Sequence, residues 1–343
     1  MERQIPSNPA APERRKSASW RDQLRGAIRD ADALIDRLEL PGGLREGARA
    51  AAKLFPLVAP ESFVARMRSG DPEDPLLRQV LPLGAEAAEP AEGFGPDPCG
   101  EDDAVRAPGL LQKYRGRALL IVVGTCAVSC RYCFRRHFPY EDSPAGFSQW
   151  EPALGVIAAD PSIEEIILSG GDPLMRSDSW LAQLVERLEA IPHVRRLRIH
   201  TRLPIVIPDR VDDALLSWLA TTRLAPTVVV HSNHAAEIDS ACGDALLRMV
   251  RAGVPVLNQT VLLRGINDCA DVLADLSRRL LDVRVMPYYL HQLDPVAGAG
   301  HFEVLPERGL EIVAELRRQL PGFGVPRYVR EVAGEAHKVE LGS

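Results

Sequence analysis

The chain has 343 residues, enough for one large domain or two modest ones. Hydrophobic residues make up 46% of it and aromatics only 5%, so the core must be built from aliphatic side chains. The 41 basic and 47 acidic residues leave a net charge of −6, which argues against a general nucleic-acid binder, and no apolar run approaches the ~20 residues that span a bilayer.

Residues 1–17 are polar, basic and proline-rich and are expected to fray, and the opening Met1-Glu-Arg-Gln-Ile-Pro6 lacks the apolar core of a secretion signal. Trp20, Leu24, Ile28, Ala31, Leu34, Ile35 and Leu38 recur at helical steps and predict one helix over 17–40, stopped by Pro41-Gly-Gly43. Shorter helices are expected over 44–54 and 60–69, followed by turn material at Asp71-Pro-Glu-Asp-Pro75. Residues 84–108, rich in Ala, Gly, Pro and acid, read as a linker or draped loop. Residues 1–110 are therefore expected to form a helical lead-in that needs the rest of the chain for burial.

From residue 118 the rhythm changes. Strands are predicted over 118–123, 164–169, 195–200, 226–231, 255–261 and 284–288. Helices are predicted over 148–159, 178–190, 209–221, 238–252, 270–281 and 306–319. Six strand–helix units predict an α/β fold with a parallel sheet and right-handed crossovers, curled into a partial (β/α)6 TIM-like barrel over 111–320, with a C-terminal segment over 321–343. Barrels of this type carry their chemistry at the carboxyl ends of the strands. Polar residues gather at those ends: Ser169-Gly-Gly-Asp172, His200-Thr-Arg202, His231-Ser-Asn-His234, Asn258-Gln-Thr260 and the run from Tyr288 to Asp294.

The first strand leads into Gly124–Arg136, which holds Cys126, Cys130 and Cys133 in the spacing C-x3-C-x2-C. Three thiolates this close can share one metal centre but cannot all pair as disulfides. Such a loop can hold three irons of a cubane iron–sulfur cluster and leave the fourth open. Structural zinc, closed by a fourth ligand such as His137, Cys242 or Cys269, is another reading, as is a redox pair with a spare thiol. Six cysteines, three of them clustered, point to metal ligation in a reducing compartment, hence the cytoplasm.

The cysteine spacing at a strand end resembles the signature of the radical S-adenosylmethionine (radical SAM) superfamily, and Ser169-Gly-Gly-Asp172 resembles its glycine-rich motif. Lys113-Tyr-Arg-Gly-Arg117, Cys130–Arg136, His200-Thr-Arg-Leu-Pro204, Val261–Asp268, Met286-Pro-Tyr-Tyr289 and Gly300-His-Phe302 are together similar to the lysine 2,3-aminomutase family, over roughly residues 105–338. Within it, length and ending resemble the short bacterial form, which makes (R)-β-lysine from L-α-lysine for modification of elongation factor P.

That resemblance implies a [4Fe-4S] cluster on Cys126, Cys130 and Cys133. It implies S-adenosylmethionine at Gly170, Gly171 and Asp172, with Tyr132, His231 and Gln259 contributing. It implies pyridoxal 5′-phosphate (PLP) on Lys338, one of only four lysines in the chain, with Arg117 and Lys113 at its anionic groups. Arg135 would grip the substrate carboxylate, and Asp294 and Glu331 the ε-ammonium; Glu331 stands where long forms have Asp. The implied partners are lysine, an electron donor such as flavodoxin or ferredoxin, and a functional link to elongation factor P and its lysyl ligase, with no nucleic acid and no membrane. Cys269 resembles a family zinc ligand, but the sequence to Ser343 lacks the cysteine cluster that would complete the site, so no zinc is expected. Cys99 and Cys242 have no assigned role. The alternatives are a radical enzyme acting on another basic amino acid, one working without PLP, and a non-catalytic metal protein that docks on the translation factor.

Overall fold

The structure, a computed structural model, describes residues 19–87, 92–144 and 146–342. The expected fraying of 1–17, and 88–91 of the expected linker, lie outside the described residues. The N-terminal region holds four short helices, α1 (Trp20–Arg25), α2 (Ala31–Arg37), α3 (Arg45–Ala52) and α4 (Glu61–Val64).

The single helix expected over 17–40 is two. A capping box starts α1: the Asp22 N–H donates to Ser19 Oγ and the Ser19 N–H to Asp22 Oδ2, both at 3.2 Å. Asp30 caps α2 by accepting from the Ala33 N–H at 2.9 Å. Between them Ile28 and Ala59 exchange backbone hydrogen bonds at 2.8 and 2.9 Å. Trp20, Ala31, Leu34, Ile35 and Leu38 are all buried, so the apolar spacing reports burial correctly but not continuity. The helix expected over 60–69 is a single turn. After it, buried Asp74 accepts from the Leu76 and Leu77 N–H groups at 2.9 and 3.0 Å and organises the turns.

A small antiparallel pair, β1 (Val105–Ala107) and β2 (Leu110–Leu111), borders the main sheet, so part of the expected linker is strand. Then follow β3 (Arg117–Val123), α5 (Glu151–Ala159), β4 (Glu165–Gly170), α6 (Asp178–Glu189) and β5 (Arg196–Thr201). The chain continues through α7 (Leu203–Val206), α8 (Asp213–Thr221), β6 (Ala225–His231), α9 (Ser240–Arg251) and β7 (Val256–Val261). It ends with α10 (Ala270–Asp282), β8 (Met286–His291), α11 (Pro306–Gln319), β9 (Arg327–Arg330) and β10 (Val339–Glu340). Strands β3 to β9 are parallel and pair in sequence order, with register such as Leu168↔Ile199 and Val230↔Asn258. Each crossover therefore moves one strand along. Strand β9 is a seventh parallel strand that the sequence reading did not anticipate, and β10 folds back antiparallel on it, Val339 opposite Arg330. The edges β1 and β10 do not pair with each other among the described residues, so the barrel is partial.

Strand alternation assigns the two faces. Leu120, Val122, Ile166, Leu168, Leu197, Ile199, Val228 and Val230 point outward and pack with Ile157, Leu184, Leu188, Leu246, Leu280 and Leu316 of the helices. Each fully buried aliphatic side chain contributes about 1.5–3 kcal/mol. Their neighbours on the other face, including Ser169, His200, His231, Gln259 and His291, line a cavity. No helix among the described residues is long and apolar enough to cross a membrane.

Candidate active site

The cavity has a volume of about 660 Å3. Strands β3 to β8 supply its wall, and the β9–β10 hairpin adds Glu331 and Lys338. All the residues expected at a site lie on this wall: Lys113, Arg117, Cys126, Cys130, Tyr132, Cys133, Arg135, Gly170, Gly171, Asp172, His231, Gln259, Asp294, Glu331 and Lys338.

At one end is the cysteine loop. Its backbone is held from outside the barrel, with the Ser129 N–H donating to Val58 O at 3.0 Å and the Arg131 N–H to Gln79 O at 2.9 Å. Cys126, Cys130 and Cys133 are free thiols. Burial and repulsion from neighbouring cysteines push Cys126 and Cys133 upward, Cys133 to about 11. A bound cation must therefore supply the charge that makes them thiolates. No three His, Cys, Asp or Glu side chains converge on one ion-sized point among the described residues. A cubane needs no such convergence, since each of its irons takes its own thiolate, so the donor set fits a cluster better than a single zinc.

The glycine motif is built around this loop. A Cβ at Gly170, where φ is +120°, would lie 2.5 Å from Val123 O, and one at Gly171 would lie 2.4 Å from Thr125 O. The Gly171 and Asp172 N–H groups donate to Val123 O at 2.7 Å and Thr125 O at 2.9 Å. The glycines thus let β4 approach the start of the cysteine loop. Asp172, expected to touch a cofactor, spends its carboxylate on the protein. Its oxygens accept from the Leu174 N–H at 3.0 Å, Thr201 Oγ1 at 2.7 Å, the Arg202 N–H at 2.7 Å and the Leu203 N–H at 2.9 Å. That fills a carboxylate's ordinary acceptor sites, so the Asp172 side chain ties β4 to β5 while the residue stays on the cavity wall.

Arg135 is buried beside the cysteines. Glu101 takes its Nε–Nη2 edge in a bidentate pair at 2.8 and 2.7 Å, and Nη1 donates to Ser169 Oγ at 2.8 Å. Of the five N–H donors, one on Nη1 and one on Nη2 remain for a further acceptor such as a carboxylate. Across the cavity, Gln259 donates to His231 Nε2 at 3.0 Å, and burial, followed by the charges of Arg202 and Arg135, lowers His231 to about 3. His231 is therefore neutral, with its proton on Nδ1.

At the opposite end, Lys338 pairs with Glu331 Oε2, Lys113 holds Glu331 Oε1 at 2.8 Å, and the Tyr114 hydroxyl donates to the same oxygen. Lys113, expected at the cofactor's anionic groups, is paired with Glu331 on the same cavity wall. Burial would raise Glu331, but Lys338 and Lys113 bring it down to about 2. Burial raises Asp294 to about 6 even though Lys338 pulls the other way. The site thus holds one acid that is always ionised and one that titrates near neutrality.

A cationic wall joins the two ends. Arg117 stacks over Tyr114 at 4.6 Å, and Arg327 lies 5.2 and 4.9 Å from the stacked rings of Tyr288 and Tyr289. Arg198 Nε, His200 Nε2 and His291 Nε2 are buried on this wall with no hydrogen-bond partner among the described residues. Burial depresses both histidines, so they are neutral. Unspent buried donors and acceptors among arginines and stacked rings suit an anionic, planar ligand such as PLP.

Sequence reasoning missed Glu101, Tyr114, Arg198 and Arg327 as site residues. His200, Arg202 and His291 were noted only as parts of polar strand ends. The inward alternation of Arg198 with His200, and of Tyr289 with His291, was the available signal.

A family model described as a 4Fe-4S single cluster domain matches residues 114–196. The L-lysine 2,3-aminomutase of Escherichia coli (strain K12) is 49% identical over 323 residues, covering 94% of this chain and 94% of that one. The L-lysine 2,3-aminomutase of Haemophilus influenzae is 46% identical over 330 residues, covering 96% and 97%. The solved structure of Streptococcus suis SuiB bound to S-adenosylmethionine aligns with a TM-score of 0.48 at 12% identity, covering 65% of this chain and 52% of that one. By its 49% and 46% identity to these two aminomutases the chain belongs to the lysine 2,3-aminomutase family, isomerases that combine a [4Fe-4S] cluster, S-adenosylmethionine and PLP.

Proposed function

We propose that the chain converts L-α-lysine to (R)-β-lysine and that this product serves the modification of elongation factor P. The observation that carries the substrate reading is the acid pair at the far end of the cavity. Glu331, already holding the alkylammonium of Lys338, and Asp294 beside it form a receptor for the ε-ammonium of lysine. End-to-end similarity to the E. coli and H. influenzae relatives supports the short-form role.

When bound, the cluster and S-adenosylmethionine supply a 5′-deoxyadenosyl radical, and PLP supplies the ring that delocalises the migrating centre. The chain's own residues bind and orient. Cys126, Cys130 and Cys133 ligate the cluster, and the Gly170–Gly171 edge, Tyr132 and the His231–Gln259 pair lie on the wall where S-adenosylmethionine would be held. Lys338 would hold PLP, and Arg117, Arg198 and Arg327 on the same wall would balance its phosphate. Arg135, braced by Glu101, takes the substrate carboxylate through its remaining N–H donors, while Asp294 and Glu331 take the ammonium. Gripping both ends of lysine fixes Cβ without a contact to Cβ itself, which is how positioning lowers a barrier. A low-potential donor such as flavodoxin or ferredoxin would supply the electron.

The test is product analysis of anaerobic turnover with lysine, S-adenosylmethionine and reductant. β-Lysine of R configuration, formed only when all are present, is expected. Turnover of arginine or ornithine in preference to lysine would assign the site to another basic amino acid. Transfer of labelled product to elongation factor P by its lysyl ligase tests the downstream role.

A further inference from the structure

Arg202 follows β5, and its buried guanidinium lies against the cysteine loop. Nη1 donates to Cys130 Sγ at 2.8 Å, and Nη2 donates to Gln79 Oε1 at 2.6 Å and Glu237 Oε2 at 2.9 Å. Glu237 is fully buried, and its other oxygen accepts from the Asn233 N–H at 2.7 Å, the His234 N–H at 3.0 Å and Gln79 Nε2 at 3.2 Å. The rings of Phe63 and Tyr132 flank Arg202 at 5.4 and 5.7 Å. The pair is thus dry and in contact with a cluster-loop sulfur, bonded through both Nη groups of Arg202 while its buried Nε has no partner among the described residues.

Taking two charges out of water is costly, and an apolar pair of the same volume often packs as well or better. Neither Arg202 nor Glu237 is needed to hold lysine, PLP or S-adenosylmethionine in the scheme above. What the pair does uniquely is set a fixed charge gradient beside Cys130. The charge near a cluster and the hydrogen bonds to its sulfurs are the levers that set its reduction potential.

We propose that Arg202 and Glu237 set the reduction potential of the cluster, with Arg202 a positioning residue that acts through Cys130 and Glu237 its counterweight. The inference rests on reading Cys126, Cys130 and Cys133 as cluster ligands. In the step concerned, a low-potential one-electron donor is oxidised and [4Fe-4S]2+ becomes [4Fe-4S]1+, with no proton transferred. The added negative charge is favoured by the guanidinium and opposed by the carboxylate. Gln79, bonded to both groups, ties their orientation to the N-terminal region.

The test is a redox titration, followed by electron paramagnetic resonance, of anaerobically reconstituted native protein, Arg202→Gln, Arg202→Lys and Glu237→Gln. Iron and sulfide contents are measured on the same samples. The midpoint is expected to fall in Arg202→Gln, to fall less in Arg202→Lys, and to rise in Glu237→Gln. General loosening of the loop would move all three the same way. Midpoints equal to the native value, or shifts of one sign throughout, in variants with native iron and sulfide content overturn the proposal. If Arg202→Gln holds no cluster, opposite shifts in Arg202→Lys and Glu237→Gln support it and their absence overturns it. If the native chain itself takes up no iron and sulfide, the cysteine reading fails and this inference falls with it.

Discussion

Lys338 and Glu331 form an ion pair across the β9–β10 hairpin, with the lysine ammonium seated on Oε2 while Lys113 occupies Oε1 at 2.8 Å. The side chain of Lys338 is chemically the distal half of free lysine. A carboxylate oxygen that seats this ammonium therefore suits the ammonium of free lysine as well.

Glu331→Gln removes that shared counterion and leaves half-buried ammonium groups facing a neutral amide. Breaking a buried pair costs about 3 kcal/mol or more, so the KM for lysine is expected to rise on the order of 100-fold. Glu331→Asp, which keeps the charge, restores much of it. Steady-state kinetics beside PLP content separates the effect from loss of cofactor; an unchanged KM would remove Glu331 from the substrate site.

Asp294 is expected to set the pH dependence. Burial raises its pKa to about 6 even though the nearby Lys338 charge pulls it down. Below that value the acid is neutral and no longer attracts an ammonium. The kcat/KM for lysine is therefore expected to fall up to tenfold per pH unit as pH drops through a break at about 6. Glu331, at about 2, contributes no break in the usable range. Asp294→Asn should give a low, flat profile, measured as initial rates between pH 5.5 and pH 8, a window chosen around the histidine and raised-carboxyl range.

Lys113 and Arg117 are four residues apart and differ in task. Lys113→Met is expected to raise the KM for lysine about tenfold while PLP affinity stays near native, because its ammonium serves Glu331. Arg117→Met should instead weaken PLP binding about tenfold or more, as loss of a charge-assisted contact does. Equilibrium dialysis with PLP distinguishes them, and a Lys113→Met chain that loses PLP with an unchanged KM would return Lys113 to the cofactor.

Gly171→Ala places a methyl 2.4 Å from Thr125 O, where backbone on both sides prevents relief by a rotamer change. Destabilisation of roughly 1–3 kcal/mol or more and a reduced iron content are expected, read from thermal unfolding and metal analysis. Native iron content and stability would show that the loop yields at that point.

The barrel units and the polar rim were readable because alternation along each strand and the helical period are local properties of the chain. Strand β9 escaped notice because it has four residues with arginine at both ends, and only pairing with β8 makes it a strand. Glu101 lay in a stretch without periodicity, and its partner Arg135 is 34 residues further on, so their pairing is a property of the fold. Continuity of the first helix failed because burial periodicity runs through both pieces while Asp30 restarts the backbone ladder. Lys338 has no local signal at all and was found only through family resemblance.

The backbone contacts from the N-terminal region to the cysteine loop have one more consequence. The amide hydrogens of Ser129 and Arg131 are bonded to carbonyls of Val58 and Gln79, so their exchange with solvent reports whether that region is seated. Iron held at the cysteines is therefore expected to protect amides in the N-terminal helices from exchange, and unfastening those helices to speed loss of iron.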